Sequence, residues 1–314
     1  MVKKKMVVGI LLGILFFYLA VRNIKFHEVI ESFRSIRYVY LVPVYMTMLA
    51  MHLLRAYRWG ILLRPIERIR FVSLVSITSV GFLAIMAVPV RVGELARPYL
   101  IKRSSSIKMS SALGTIIIER LFDIFSILVM FSAVACIIPI PQWIVRSSMG
   151  ILALVVLGMI FISVLVLNRR RAGRIIRVLL LKMPRRLSLR IEEMIVHFTL
   201  GLELMTDITR LLGVAALSFI IWTIGAFAIY LLFFAFNFSL PLIAAFAVLV
   251  LVTAGISIPA APGFVGNWHY FCVLALTFFS IPKADAMAFA IVHNFLSVSL
   301  TVVMGLLFLP FVKK

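Results

Sequence analysis

The sequence predicts an all-α, polytopic membrane protein of about six to eight transmembrane helices, with two oppositely oriented re-entrant hairpins in an inverted repeat. Three observations lead there. The 314 residues are 64% hydrophobic with a mean hydropathy of +1.16, whereas soluble domains sit at about 45 to 50% apolar. The apolar runs reach the roughly 20 residues that a membrane helix needs, without the alternation of a barrel strand. Finally, the Pro-x-x-Val-Gly core of Pro89 to Gly93 recurs from Pro262 to Gly266, each time behind an apolar run.

In chain order, Met6 to Val21 follows Lys3, Lys4 and Lys5 like a signal peptide, but no small-x-small cleavage site precedes Arg22, so it reads as a first span or anchor. Arg22 to Arg37 places Phe26, Val29, Ile30 and Phe33 at helical spacing and reads as an interfacial helix. Tyr38 to Leu54 is the second span and continues through Arg55, Arg58 and Trp59. These three form either an aromatic belt with basic flanks or, with the arginines on one helix face, a phosphate contact. Phe71 to Val88 ends at Pro89, and Arg91 to Ile101 is too short and charged to complete a crossing, so the pair reads as a hairpin.

Ile107 to Ile138 spans while carrying Glu119, Arg120 and Asp123. A charge near the bilayer centre costs about 2.5 to 3.5 kcal/mol on insertion scales, so these groups are expected to face a bundle interior with partners. Trp143 to Leu167 is a further span. Asn168 to Arg190 follows with nine Lys or Arg and no acid, then the amphipathic 189–207 stretch. Leu211 to Phe236 spans, Pro241 to Pro259 is the second interrupted segment, Trp268 to Ser280 its return arm, and Ala284 to Leu309 the last span. The chain is thus one integral membrane domain, 1–314, with repeat 1 at 38–138, a linking span and basic segment at 139–210, and repeat 2 at 211–309.

The net charge of +21 would suit nucleic acid in a soluble protein. Here the basic residues lie mostly in loops, which assigns them to topology and anionic lipid rather than nucleic acid. Placing 168–210 in the cytoplasm puts Lys102, Arg103, Lys108 and the C-terminal Lys313 and Lys314 there too, and makes the two hairpins enter from opposite sides. The four basic residues of Arg22 to Arg37 are the exception to the bias.

Arg91, Glu94 and Arg97 fall three apart, and Glu119 and Asp123 four apart, so each set shares a helix face. One interpretation is a buried ion-pair network pinning hairpin to span. The other gives Arg91 and Arg97 a lipid phosphate, since a guanidinium fork fits that group and a helix starting after Pro89 points its amides at it. Arg55 and Arg58 would guide the head group, with Glu94, Glu119, Arg120, Asp123 and His269 balancing charge or carrying a proton. Pro89, Gly93, Pro262, Gly263 and Gly266 make the breaks, and Asn267, Trp268, His269, His293 and Asn294 supply polar contacts from the second one.

No Gly-rich phosphate loop, activated nucleophile or metal-spaced His and Cys set occurs in the sequence, and Cys136 and Cys272 lie inside apolar runs. No enzyme activity, metal or cofactor is expected. The expected partners are membrane lipids with anionic head groups.

At Arg58-Trp59-x-x-Leu62-Leu63, Pro89-x-Arg91-x-Gly93-Glu94-x-x-Arg97, Glu119-Arg120-x-x-Asp123 and Pro262-Gly263-x-x-Gly266, the chain resembles the flippase-like, UPF0104-type family named for the transmembrane domain of lysylphosphatidylglycerol synthase. The resemblance implies a helical membrane protein that moves lipid head groups between leaflets, here without the soluble aminoacyl-transferase domain. The family commonly carries Pro-Gly-Gly-x-Gly-x-x-Glu in the second loop, and Phe264 and His269 stand at its second Gly and its Glu. The expected function is a flippase-like transporter of the cytoplasmic membrane, acting on an anionic phospholipid, glycolipid or polyprenyl-phosphate carrier. The alternative is a non-transporting scaffold subunit for a lipid- or envelope-modifying enzyme.

Overall fold

The computed structural model of the protein describes residues 2–22, 24–87, 93–138, 142–167, 185–202, 207–258 and 261–313. Pro89, Arg91 and most of the basic 168–190 segment lie outside them.

Proline and capping residues set many of the helix limits. Helix α1 spans Val2–Val21, α2 Phe26–Arg34 and α3 Leu41–Leu63, which stops ahead of Pro65 because a residue before proline disfavours helical backbone. Helix α4 (Phe71–Ala87) leads into the first break, and α5 (Ala96–Ser104) packs back along it. Next come α6 (Met109–Ala135), α7 (Gln142–Leu167) and α8 (Arg185–Gly201). Helix α9 (Ile208–Ala235) begins at Asp207, whose carboxylate accepts the Arg210 amide at 3.1 Å. Helix α10 (Leu242–Ser257) starts after Pro241, the second break contains a 3₁₀ turn at Pro262–Phe264, and α11 (Asn267–Thr277) leads to α12 (Lys283–Phe308) behind Pro282.

Among the described residues there is no strand, and four helices are long and apolar enough to cross a membrane: Tyr38–Leu63, Arg146–Val164, Ile208–Ala235 and Lys283–Val312. A fifth arises if α1 and α2, bent by 80° at their junction, count as one span. The number falls below the six to eight expected for specific reasons. Helices α4 and α10 have 17 and 16 residues, and the 27-residue α6 holds three charged side chains in its middle.

The order long helix, short apolar helix, break, short helix, long helix therefore occurs twice, in α3 to α6 and in α9 to α12. Their contacts respect an exchange of the two units. Helix α3 packs on α9; α4 on α12 is matched by α10 on α6; α3 on α12 is matched by α9 on α6; and each short pair packs internally and on its own long helix.

Between helices in lipid, association rests on close van der Waals packing at small residues. Gly114 on α6 lies against the Phe198 carbonyl and Gly201 of α8, where Ser111 Oγ also donates to the His197 carbonyl at 2.7 Å. Gly13 of α1 abuts Ala261 and Gly266 in the second break, and Phe16 packs on Tyr270 with ring centres 5.3 Å apart. The expected interfacial helix is α2, whose Val29 and Ser32 are buried and whose Ser32 Oγ donates to the Asp285 carboxylate on α12.

Candidate functional site

Five helices bring polar side chains to one apolar interior. Helix α3 supplies His52, Arg55, Arg58 and Trp59, one helical turn apart; α6 supplies Thr115, Glu119 and Asp123 at intervals of four. Arg97 arrives from α5, Ser79 and Phe82 from α4, and Ser218 and Trp222 from α9.

Arg97 donates to both oxygens of Glu119, Nη1 to Oε1 at 2.9 Å and Nη2 to Oε2 at 3.0 Å, and its guanidinium lies 4.2 Å from the centre of the Trp59 ring. Arg58 does the same to Asp123, at 2.6 and 3.3 Å, and also donates to Ser218 Oγ at 2.7 Å. Arg58 Nη2 lies 3.5 Å from Glu119, so the two pairs join into one network. The Trp222 indole N–H adds a bond to Asp123 at 2.9 Å, and Arg120, half-buried, stands 3.6 Å from the same carboxylate. Arg58, Arg97 and Glu119 are at most 1% exposed and Asp123 6%. Charges at that depth require partners of this geometry, because an unpaired buried ion is very costly.

Arg55 is different. It is half-buried, and among the described residues it has no carboxylate partner, its guanidinium resting instead 5.6 Å from the Phe82 ring centre and 5.3 Å from that of Trp222. Beside it the buried His52 shares a 2.8 Å hydrogen bond with Ser79. Four guanidiniums thus gather around two carboxylates, and of the two in excess Arg120 still reaches Asp123 at 3.6 Å, whereas Arg55 rests on aromatic rings.

The ligand arginines expected from sequence therefore separate. Arg58 and Arg97 belong to the ion-pair network, Arg55 remains uncommitted, and Arg91 lies outside the described residues. Glu94 is half-buried beside the first break. Gly93 is buried against the backbone of Ala84 and Ile85, which holds the start of the return arm close to α4.

The second break is built differently. Gly263 and Gly266 have φ of +68° and +90°, the left-handed region that glycine enters at little cost. Phe264 also sits there at +59°. Asn294 Nδ2 donates to the Gly263 carbonyl at 3.0 Å, and Asn267 Nδ2 to the Gly255 carbonyl at 3.1 Å, tying the turn to α12 and α11 back to α10. His269 points at α1, edge-on to Phe17 with ring centres 5.8 Å apart, so it does not join the arginine cluster.

Sequence reasoning missed Ser218 and Trp222. A buried indole needs an acceptor, and Trp222 lying four residues after a serine inside an apolar span was the available signal. It missed His52 and Ser79 likewise.

A multi-pass helical bundle enclosing a connected network of paired and unpaired arginines defines a membrane protein with a buried, cationic interior site. By sequence, the lysylphosphatidylglycerol synthase transmembrane-region family matches residues 6–305, and the chain belongs to that family. It is similar to a UPF0104 membrane protein of Methanothermobacter thermautotrophicus, 25% identical over 235 residues, covering 70% of this chain and 68% of the relative. A UPF0104 membrane protein of Methanocaldococcus jannaschii is 26% identical over 233 residues, 72% of this chain and 93% of the relative. No solved structure matches.

Proposed function

We propose that this chain is a lipid transporter that carries an anionic lipid between leaflets, the lipid being a phospholipid, glycolipid or polyprenyl-phosphate carrier. The observation that carries this reading is Arg55, half-buried among aromatic rings with no carboxylate partner among the described residues. A guanidinium so placed favours a bidentate oxyanion, and a phosphate is the oxyanion that membrane lipids present. Arg58 and Arg97, locked to Asp123 and Glu119, hold the frame around it and add positive potential. Arg91, next to the first break in sequence, is assigned to the same phosphate.

The reciprocal packing of α3–α6 on α9–α12 supports an inverted repeat whose two breaks are re-entrant hairpins at a shared chamber, an arrangement suited to alternating access. The basic 168–190 segment and Lys313 and Lys314 support a cytoplasmic-membrane protein with 168–210 and the C-terminus inside. On this reading the whole chain is one membrane domain that binds and moves its ligand without catalysing a reaction.

The test is leaflet exchange of a labelled anionic lipid by the reconstituted protein, compared with Arg55→Ala. Absence of exchange by the unmodified protein would refute transport and return the scaffold role.

A further inference from the structure

Arg97 and Trp268 are each the second residue of their short helix, α5 and α11, and Glu119 and His293 each the eleventh of the long helix that follows, α6 and α12. In the first unit the contact between these positions is a two-point ion pair. In the second it is an edge-on pair of rings with centres 4.9 Å apart, and Trp268 Nε1 and His293 Nδ1 have no hydrogen-bond partner among the described residues. Both side chains are more than nine-tenths buried, Trp268 at 9% exposure and His293 at 5%. A buried indole N–H or imidazole nitrogen without a partner loses its hydration with nothing in exchange, which is why such groups nearly always meet one. Trp268 lies in the first turn of α11, whose preceding residue, Gly266, provides no side-chain cap, and His293 faces it from the middle of α12. The neighbouring Asn267 Oδ1 and His269 Nδ1 are unpartnered as well, although the bond of Asn267 to Gly255 and the packing of His269 on Phe17 aim those residues elsewhere.

We propose that Trp268 and His293 form a second recognition site, for the neutral, hydroxyl-bearing part of the ligand whose phosphate Arg55 holds. This rests on the lipid-transport reading above. The chemistry selects hydroxyl over phosphate: the indole only donates, the imidazole donates or accepts according to its tautomer, and a hydroxyl both accepts and donates. The aromatic walls, Trp268 itself and Phe289 with its ring centre 6.0 Å from that of His293, suit the apolar face of a sugar or polyol. Helix α4 borders both sites, with Phe82 against Arg55 and other residues against the Pro262–Phe264 turn and α12.

The test uses two monoanionic phosphodiester lipids with the same acyl chains, phosphatidylinositol and phosphatidylmethanol, which share the phosphate and differ in hydroxyls. Native mass spectrometry of the purified protein with an equimolar mixture reads the ratio of bound species. The unmodified protein prefers phosphatidylinositol by about threefold to tenfold, the worth of one neutral hydrogen bond. Trp268→Phe, which keeps the ring and removes the N–H, brings the ratio to one, and His293→Phe serves in its place should Trp268→Phe fail to fold. Arg55→Ala lowers both bound species together. Equal binding by the unmodified protein, or a preference that survives both ring substitutions while only thermal stability falls, overturns the inference and leaves the Arg55 reading standing. Binding of neither lipid overturns the Arg55 reading, and this inference with it.

Discussion

Arg97 on α5 and Glu119 on α6 form a two-point ion pair in which both side chains are at most 1% exposed. Removing one partner leaves the other charged and buried, at a cost of about 3 to 5 kcal/mol. Arg97→Ala and Glu119→Gln should each lower the thermal midpoint of the purified protein sharply. The double replacement Arg97→Met with Glu119→Leu should retain more stability than either single change, because it removes both charges while filling the space.

Gly81 on α4 leaves room for the stem of Arg97, since a Cβ there would meet Arg97 Cγ. Gly81→Ala should therefore destabilise by about 1 to 3 kcal/mol through overpacking. Combined with Arg97→Ala it should cost less than the sum of the two, because the obstructed side chain is gone. A double-mutant cycle on thermal unfolding measures the difference, and strict additivity would place Arg97 elsewhere.

Gly266, at φ +90°, lies against the Gly13 carbonyl of α1. Gly266→Ala combines backbone strain with a collision and should lift α1 from α11. With cysteines replacing Phe16 and Tyr270, whose ring centres are 5.3 Å apart, linking by a short bis-maleimide should be efficient in the parent and fall with Gly266→Ala.

Gly201 and Gly114 let α8 sit directly on α6. Gly201→Leu should release α8, seen as faster protease cleavage within 185–202 in detergent, with helical content elsewhere retained. Cleavage at the parent rate would mean that α8 is held by other contacts.

Much of the fold was legible because it depends on one-dimensional pattern. Apolar length gave the long helices, Pro241 and Pro282 marked helix starts, and the four-residue spacing of Glu119 and Asp123 put both on one face of α6. The span count was not legible in the same way, since α4 and α10 are apolar throughout yet short, and α6 is long yet charged.

Within the site, the residues were visible but their allocation was not. The sequence set Arg91, Glu94 and Arg97 against Glu119, Arg120 and Asp123, and gave Arg55 and Arg58 a shared head-group role because spacing treats them as equivalent positions on one face. Tertiary distance decided the outcome. Arg58 faces α6 and α9, where Asp123 and Ser218 receive it, while Arg55 faces Phe82 and Trp222. Phe264 was noted only as a departure from a glycine, and the left-handed φ of +59° shows what that departure demands of the backbone.

The central claim, that Arg55 is the cation reserved for a lipid phosphate, is tested most directly by initial rates of leaflet exchange in proteoliposomes for the unmodified protein, Arg55→Lys and Arg55→Ala. The account predicts exchange of an anionic lipid that falls by about tenfold or more in Arg55→Ala, as loss of one charge-assisted hydrogen bond implies. Arg55→Lys should keep part of the rate, and the thermal midpoint should fall far less than in Arg97→Ala. Exchange at the unmodified rate in Arg55→Ala would contradict it.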